Sequence, residues 1–398
     1  MSLPEDPVVI VGAARTPMGS MLGDFKDVTA THLGGAAIKA ALDRSKVSPD
    51  DIGEVIMGCC LMHGLKQAPA RQAAHFAGIP WHVGATTLTK MCGSAMKSAM
   101  FGHDNILVGS HDIVVAGGME NMSNAPYMVL KGRTGYRLGH GDTLKDSMFY
   151  DGLEDAYEEG RAMGTFAEDC AEMYQFTREA QDAFAMESVK RAQNANNDGT
   201  FDKEITPVLV KARKGDRLVD KDQAPFELAI DKIPTLRPAF RKNGTVTPAT
   251  SSKISDGASA LVLMRRSHAE KKGVTPLAVI HAHSTHSQEP NLFTTAPIGA
   301  FHKLLDKAGW NKDDVDLWEI NEAFAVVTMA AMRDIDIPHD KVNVNGGACA
   351  LGHPIGASGA RIVVTLLHAL EKHGLSKGVA GLCIGGGEAT AMAIERLS

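Results

Sequence analysis

Cys92 stands between a predicted strand and a predicted helix, a position that could make its thiol reactive. The strand-like run covers 86–91, and a helix is predicted to begin near Ser94. Free N–H groups and the helix dipole stabilise a thiolate at a helix N-terminus, so we expect a lowered pKa there. Cys92 is therefore a candidate nucleophile, although a small buried core cysteine explains this residue alone equally well.

His353 lies in the glycine-rich stretch 343–359, between a strand-like run at 341–344 and a predicted helix at 360–372. Glycines at such a turn let the backbone approach a ligand closely and adopt positive φ. A histidine held there could exchange protons near neutral pH. Taken alone, an incidental histidine in a tight turn is the commoner explanation.

Cys383 and Asn321 each follow a predicted strand. Cys383 runs into three glycines that begin at Gly385, and Asn321 opens the sequence Asn-Glu-Ala-Phe. A thiol beside glycine N–H groups could act as an acid or base next to an oxyanion site. Strand ends are where α/β folds place ligands. Core packing of Cys383 and helix capping by Asn321 are the alternatives.

The composition indicates a globular protein of two or three domains. Its overall charge is negative and would not attract polyanions such as nucleic acids. The chain has 398 residues, with 44% hydrophobic and 22% charged residues and a formal net charge of −6. We therefore predict neither nucleic-acid nor membrane partners. Six cysteines without a Cys-x-x-Cys motif indicate a reducing compartment, and no signal pattern or long apolar stretch is evident. The predicted location is cytoplasmic.

An internal repeat organises the chain. A helix, an Asp-Asp turn and a strand recur, as does a strand that ends in consecutive glycines. The corresponding positions are Asp51 with Asp314, Gly117 with Gly385 and Cys92 with His353, which are 263, 268 and 261 residues apart. These similar offsets indicate a duplicated α/β unit. We predict a first half at 1–119 and 254–274, an inserted loop domain at 120–253, and a second half at 275–398.

Together these motifs resemble the thiolases. The matching residues are Cys92, Asn-Glu-Ala-Phe from Asn321, Gly-His-Pro around His353 and Cys-Ile-Gly-Gly-Gly from Cys383; further matches include Arg-Thr-Pro from Arg15 and Gly-Gly-Met-Glu from Gly117. The resemblance implies a five-layer αβαβα fold built from two duplicated halves with an inserted loop domain.

The resemblance also implies acyl transfer between coenzyme A (CoA) thioesters through an acyl-cysteine. Cys92 would carry the acyl group, His353 would take its proton, and Cys383 would exchange the α-proton of the second substrate. The enolate oxygen would be held by His353 and a water on Asn321. The other oxyanion would bind the N–H groups of Cys92 and Gly385. No metal or separate cofactor is expected, and the CoA thioesters are substrates and products.

The CoA contacts implied by the resemblance fall mostly in the inserted domain. Ser252 would contact the pantetheine arm, and Leu153 and Met163 would line its tunnel. Ala323 and Phe324 would complete the substrate site. A methionine at position 163 indicates a short acyl pocket. The expected reaction is therefore the reversible condensation of two acetyl-CoA to acetoacetyl-CoA and CoA. The resemblance also implies a homotetramer that is a dimer of dimers.

Several positions depart from the usual thiolase pattern. The family commonly has Cys-Ala-Ser-Gly where this chain has Cys-Gly-Ser-Ala from Cys92, and threonine replaces an asparagine at Thr89. Alanine replaces a histidine at Ala162, 248–253 reads Pro-Ala-Thr-Ser-Ser-Lys instead of Ala-Gly-Asn-Ala-Ser-Gly, and 293–297 reads Phe-Thr-Thr-Ala-Pro instead of Met-Gly-x-Gly-Pro. These changes leave acyl specificity and CoA contacts open.

Three alternatives remain beside the short-chain reaction. One is a degradative 3-ketoacyl-CoA thiolase for longer or dicarboxylic acyl groups. A ketoacyl synthase is disfavoured because that group uses Cys-His-His, whereas the third position here is Cys383. A non-catalytic acyl-CoA binding or lipid-transfer relative is disfavoured by the intact Cys92, His353 and Cys383. The cluster His281, His283 and His286 is not predicted to bind a metal, because no carboxylate triad lies nearby in the sequence.

Overall fold

The computed structural model describes residues 4–141, 143–211, 213 and 215–397. Its strands, in chain order, are β1 (Val8–Arg15), β2 (Gly19–Ser20), β3 (Glu54–Gly58), β4 (Gly84–Leu88), β5 (Ile113–Asn121), β6 (Tyr127–Met128), β7 (Lys145–Asp146), β8 (Val208–Val210), β9 (Arg217–Val219), β10 (Ser255–Arg265), β11 (Ala278–Ser287), β12 (Leu317–Ile320), β13 (Lys377–Ile384) and β14 (Glu388–Arg396). Its helices are α1 (Ala30–Ser45), α2 (Pro69–Phe76), α3 (Ser94–Leu107), α4 (Ser147–Gly152), α5 (Met163–Tyr174), α6 (Arg178–Asn197), α7 (Arg266–Lys272), α8 (Ala296–Ala308), α9 (Ala325–Ile335), α10 (Ala348–Leu351) and α11 (Ser358–His373).

The large sheet consists of two halves with the same strand pattern. In the first half the order is β4, β3, β5, β10 and β1, and in the second it is β12, β13, β14 and β11. In each half a parallel pair, β3 with β5 or β12 with β13, is followed by antiparallel neighbours. An isolated parallel bridge between Trp318 and Val342 takes the place that β4 has in the first half. The predicted duplication is thereby confirmed.

The two sheet halves meet where Val9 pairs with Val279 and Ile10 with Ala278. The strand β1 reads Val-Val-Ile-Val-Gly-Ala-Ala-Arg and is buried along its whole length. A continuous apolar strand of this kind belongs in a sheet that is covered on both faces. Covering layers of helices are therefore required on each side.

Helices α3 and α11 form the central layer between the two sheet halves. Their side chains share one apolar core with both halves, including Met96 from α3, Ile362 from α11, Leu261 from β10 and Leu382 from β13. Gly359 permits the close approach, because a Cβ there would collide with the backbone of Met96. A helix that is buried on every face is expected to be largely apolar on every face. Helix α11 fits this expectation over most of its length.

The outer layers complete the predicted five-layer αβαβα fold, which is confirmed. Ile38 and its neighbours on α1 pack with Ala73 of α2 against the outer face of the first half. Phe301 of α8 and Ala331 of α9 pack with Trp318 against the second half. Amphipathic helices on each outer face bury the remaining apolar side of the sheet.

The segment between β5 and β10 carries α4, α5, α6 and two short hairpins. Buried ion pairs attach it to the first half. The Arg15 guanidinium contacts the Glu204 carboxylate at 2.5 Å and the Asp222 carboxylate at 2.7 Å. Losing one member of such a pair leaves an uncompensated buried charge, so these contacts hold the segment firmly to the core.

One local prediction differs from the structure, because the strand expected at 341–344 is reduced to the single bridge at Val342. The helix predicted at 360–372 is present as α11, which begins at Ser358. In the inserted segment, α5 and α6 are separated at Gln175, which adopts a left-handed conformation. No described helix is long and apolar enough to span a membrane.

Candidate active site

A strained turn presents Cys92 at the start of the central helix α3. Met91 has a φ of 45°, an uncommon conformation for a residue with a side chain. The Ser94 hydroxyl fixes this turn by accepting the Lys90 N–H at 2.7 Å and donating to the Met91 carbonyl at 2.7 Å. Strain that the surroundings maintain in this way is typical of a positioned reactive group.

Burial, rather than the helix N-terminus, dominates the acidity of Cys92. Its pKa is raised to about 11, because desolvation of the thiolate outweighs the hydrogen bonds from the N–H groups of Gly385 and Cys92. The expectation of a lowered pKa is wrong for this reason. The thiol is therefore protonated at rest and needs a base before it can attack. The two N–H groups nevertheless converge on its sulfur, as an oxyanion site requires.

His353 presents an unprotonated Nε2, the kind of group that can serve as a base. Its Nδ1 lies 2.6 Å from the Ser358 hydroxyl oxygen, and this hydroxyl donates its single proton to the Pro354 carbonyl at 2.9 Å. Nδ1 must then be the donor, which leaves a lone pair on Nε2. Nε2 is buried and has no hydrogen-bond partner among the described residues. Burial and the Arg361 charge lower the pKa of His353 to about 3, so the ring is neutral at physiological pH.

Cys383 lies near the end of β13, close enough to Cys92 for the two thiols to interact electrostatically. Burial raises the pKa of Cys383 well above its usual value, and the neighbouring Cys92 raises it further. The hairpin between β13 and β14 continues from Cys383 to Gly385, whose N–H contacts the Cys92 sulfur. One hairpin therefore positions both a second thiol and an oxyanion donor beside the candidate nucleophile.

Asn321 occupies the end of β12 in the same part of the fold. Its N–H donates to the carbonyl of Gly381, two residues before Cys383. Both polar atoms of its side chain are buried and lack partners among the described residues. Buried amides are nearly always hydrogen-bonded, so this side chain is suited to hold a water or a substrate oxygen.

A cavity of about 300 Å³ reaches His353 from the surface. Of the substrate-binding residues predicted from the sequence, Leu153, Met163, Ser252 and Phe324 line it. The lining does not include the other predicted site residues, which are Cys92, Cys383, Gly385, Asn321 and Ala323. The Ala323 carbonyl instead accepts the Ser252 N–H at 2.9 Å and so supports the wall. An apolar cleft with a few convergent polar groups is the usual form of a ligand site.

A buried carboxylate that the sequence reasoning missed ties the site loops together. Glu120 accepts the N–H groups of Cys60, Leu61 and Gly356 at 2.9–3.1 Å. It thus joins the loop after β3 to the loop that follows His353. The Gly-Gly-Met-Glu motif was the available signal, but nothing in the sequence says which N–H groups the carboxylate meets.

The three histidines that form a cluster in the sequence have separate partners in the structure. His281 pairs with Glu395, His283 with Asp104, and His286 with Gln288. Residues two apart on a regular strand share a face, but the bulge between Ile280 and Ala282 separates His281 from His283. His286 is three residues beyond His283 and therefore points to the opposite face.

Two family models cover nearly the whole chain. The thiolase N-terminal domain matches residues 8–267, and the thiolase C-terminal domain matches residues 274–396. The chain belongs to the thiolase family. Each half of the duplicated fold therefore matches one of the two thiolase domain models.

Full-length relatives agree with this assignment. The thiolase chain is 47% identical over 399 residues to a cytosolic acetyl-CoA acetyltransferase of Mus musculus, with all of both chains covered. An acetyl-CoA acetyltransferase of Bacillus anthracis has a crystal structure that matches with a TM-score of 0.96 and 40% identity, again over all of both chains. The thiolase Acat5 of Ascaris suum, solved in complex with coenzyme A, matches with a TM-score of 0.92 and 41% identity over 98% of this chain and 100% of that one.

Ser358→Ala should lower kcat of this thiolase by about tenfold without raising KM, because His353 loses the acceptor that fixes its Nδ1 proton. Steady-state kinetics across pH measure the effect. Ser259→Ala is a matched control, since Ser259 is a buried hydroxyl that donates to the Ala357 carbonyl at 2.7 Å. Equal losses in both variants, or a change confined to KM, would contradict the positioning role.

Gly93→Ala, which installs the residue usual in the family, should destabilise this chain by about 1–3 kcal/mol through overpacking. A Cβ at position 93 would collide with Cδ1 of Ile384. Denaturant unfolding measures the change. Gly84→Ala is the control, because a Cβ there meets no atom within 4 Å. Adding Ile384→Val should recover part of the lost stability. An unchanged free energy of unfolding in Gly93→Ala would show that the Ile384 side chain moves aside freely.

Proposed function

We propose that this thiolase is an acetyl-CoA acetyltransferase that interconverts two acetyl-CoA with acetoacetyl-CoA and CoA. The observation that carries the proposal is a pair of neighbouring thiols beside the cavity that His353 lines, since Cys92 packs against the cluster of Met122 and Ile355 in the cavity wall. Cys92 has N–H donors at its sulfur, Cys383 is its neighbour, and the free Nε2 of His353 lies at the cavity wall. The printed names of the full-length relatives in Mus musculus and Bacillus anthracis support the same reaction.

In the cleavage direction, His353 Nε2 takes the proton of Cys92, and the sulfur attacks the 3-keto carbon of acetoacetyl-CoA. The resulting oxyanion is held by the N–H groups of Cys92 and Gly385. Collapse of this intermediate breaks the bond between C2 and C3. The acetyl group stays on Cys92, and the enolate of acetyl-CoA departs.

Cys383 then protonates C2 of the enolate, and acetyl-CoA leaves. Its raised pKa suits this role, because the residue is a thiol at rest and only a thiol can supply the proton. Protonated His353 and a water on the unpaired amide of Asn321 would hold the enolate oxygen.

The second half-reaction restores every proton. Free CoA gives its thiol proton to the Cys383 thiolate and attacks the acetyl group on Cys92. His353 returns its proton to the departing Cys92 sulfur. Condensation of two acetyl-CoA is the same path in reverse.

The space beside the oxyanion donor favours a substrate with a short acyl group. The Met163 sulfur would lie 3.5 Å from a Cβ at Gly385, so this side chain fills the space beside the oxyanion donor. Little room remains there for a long chain.

Thiolysis of 3-ketoacyl-CoA substrates with four, six and eight carbons tests the proposal. We expect the highest kcat/KM on acetoacetyl-CoA. A maximum at eight carbons would instead assign a degradative 3-ketoacyl-CoA thiolase. No turnover on any substrate, with CoA still bound, would favour the acyl-CoA binding alternative.

We further propose a homotetramer in the cytoplasm. The relative in Mus musculus whose printed name is cytosolic supports the location, and the resemblance to the thiolases supports the assembly. Light scattering coupled to gel filtration tests the assembly, with a dimeric mass as the contrary result. Fractionation of the source cells tests the location.

A further inference from the structure

Three side chains that can bind a metal ion meet between the central helix α3 and the sheet of the second half. His103 and Asp104 are neighbours near the end of α3, and His283 lies on β11. His103 Nδ1 and His283 Nε2 each lie 2.9 Å from Asp104 Oδ1. The ligand atoms of the three residues all lie within 4.8 Å of one another, and this is the one such group in the described part of the chain.

The strand β11 directs His283 toward the helix. The next residue, Ser284, donates its hydroxyl to the Ala300 carbonyl at 2.7 Å, on helix α8 of the outer layer. Neighbouring residues of a strand point to opposite faces, so His283 points to the central layer, where α3 lies. There its ring meets the His103 ring edge to face, with the two centroids 5.0 Å apart. The group therefore joins two elements that are distant in the sequence.

The exposure of the three side chains suits an ion that enters from solvent. The side chains of His103 and His283 are 11% and 18% exposed, whereas that of Asp104 is 50% exposed. Packing thus holds the two rings in place, and the carboxylate leaves one side of the group open. A site with three protein ligands and an open position filled by water is a common zinc arrangement.

The distances fit a tetrahedral ion after a small adjustment. Zinc bonds of about 2.0–2.1 Å place neighbouring ligand atoms about 3.3 Å apart, a few tenths of an ångström more than the two 2.9 Å distances to Asp104 Oδ1. Without an ion, each ring donates an N–H to that oxygen. A change of tautomer turns both nitrogen lone pairs toward the same point, where an ion replaces the two protons as the bridge.

The donor set selects the class of ion. Two imidazoles and one carboxylate suit zinc and its neighbours among the divalent transition metals, whereas Ca²⁺ and Mg²⁺ prefer oxygen ligands alone. Two ammonium groups oppose a dication here. Lys97 interacts electrostatically with Asp104, and Lys307 donates to the His283 carbonyl at 3.1 Å. We therefore expect weaker binding than at a structural zinc site with four protein ligands.

We propose that His103 Nδ1, the Asp104 carboxylate and His283 Nε2 form a binding site for Zn²⁺ or a similar divalent transition metal. The ion would link α3 to β11 and so stabilise the native fold. It takes no part in acyl transfer, because His103 lies nine residues beyond Ser94, the first residue of α3, or about 14 Å along the helix axis. The inference is independent of the proposed function.

The test titrates the metal-free, full-length protein with Zn²⁺ in a calorimeter and with Co²⁺ by absorption spectroscopy. A Co²⁺ spectrum without a thiolate charge-transfer band distinguishes this site from an ion on the active-site thiols. His283→Gln and Asp104→Asn each remove one ligand. The matched control is His281→Gln, because His281 is also a histidine of β11 that contacts a carboxylate, that of Glu395.

We expect the wild type to bind one ion per chain with a thiolate-free spectrum. Each ligand variant should weaken this binding by at least about tenfold, the loss that even an outer partner of a metal ligand produces. His281→Gln should bind as the wild type does. Lys97→Met should bind more tightly, because it removes a positive charge that acts on Asp104. Zinc should raise the Tm of the wild type and the control, but not of the two ligand variants.

A wild type without a thiolate-free Co²⁺ spectrum would overturn the proposal, as would equal affinity in the wild type and both ligand variants. A wild-type Tm that zinc leaves unchanged would reject the link between α3 and β11. Asp104→Asn decides the outcome if His283→Gln does not fold, because Asp104 is half-exposed and asparagine keeps its shape. Binding and unfolding are measured without turnover, so a failure of the acetyltransferase reaction does not affect this test.

Discussion

Cys383→Ala should lower thiolysis of acetoacetyl-CoA by a factor of about 1,000 or more, while acetylation of Cys92 by acetyl-CoA survives. Thiolysis needs a proton delivered to the enolate carbon, and Cys383 is the buried thiol beside Cys92. Transfer of an acetyl group between acetyl-CoA and Cys92 forms no enolate. The CoA thiol is acidic enough to exchange its proton with solvent when Cys383 is absent, so this transfer should persist at a reduced rate. Mass spectrometry of the acetylated protein and exchange of labelled CoA into acetyl-CoA measure the surviving step.

Cys170→Ala is the matched control for this experiment. Cys170 is a buried thiol on α5 that packs in the same apolar cluster as Cys383. Its replacement removes the same atoms from the same core, and we expect thiolysis to be retained. Loss of both exchange and thiolysis in Cys383→Ala would place Cys383 in the first chemical step. Unimpaired thiolysis would remove it from the mechanism.

Cys92→Ala should abolish both thiolysis and exchange, a loss of about 10⁵-fold or more, and should leave CoA binding within about threefold of the wild type. The acyl-enzyme cannot form without the sulfur. The cavity lined by Leu153, Met163 and Ser252 does not depend on it. Kinetics and calorimetric titration with CoA measure the two effects.

Cys60→Ala controls for packing beside the nucleophile, since the Cys60 sulfur contacts the Met91 carbonyl at 3.2 Å in the same turn. We expect this variant to form the acetyl-enzyme. Residual acetylation of the Cys92→Ala protein at another cysteine would identify a different nucleophile. A large loss of CoA affinity in Cys92→Ala would instead indicate that the turn supports the cavity wall.

The raised pKa of Cys92 explains why the proposed mechanism needs a base beside the thiol. A thiol with a pKa of about 11 is almost entirely protonated at neutral pH. In the proposed mechanism the neutral ring of His353 supplies the base, and Ser358 fixes which nitrogen is free. Burial thus makes each thiol inert alone and reactive only when a substrate and a base are correctly placed.

Much of the candidate site could be predicted because the motifs that carry it are local. Cys92, His353 and Cys383 each stand in a short strand-to-turn sequence with distinctive glycines. The tunnel residues Leu153 and Met163 were harder to predict, since they belong to the loop-rich insertion. Ser358 and Glu120 were missed, because hydroxyl and carboxylate groups give no sign in the sequence of which distant N–H or ring nitrogen they meet.

The family and the duplicated α/β architecture could be predicted from sequence patterns, which also named the candidate reactive side chains. Periodicity, glycine placement and motif order are properties of residues that are close together or ordered along the chain, so they can be recognised without a structure. Only the tertiary structure showed that burial outweighs the helix N-terminus at Cys92, and that a Cβ at position 93 would collide with the end of the Ile384 side chain. Desolvation, steric fit and charge pairing depend on which atoms of distant segments come together, and only the packed chain fixes that.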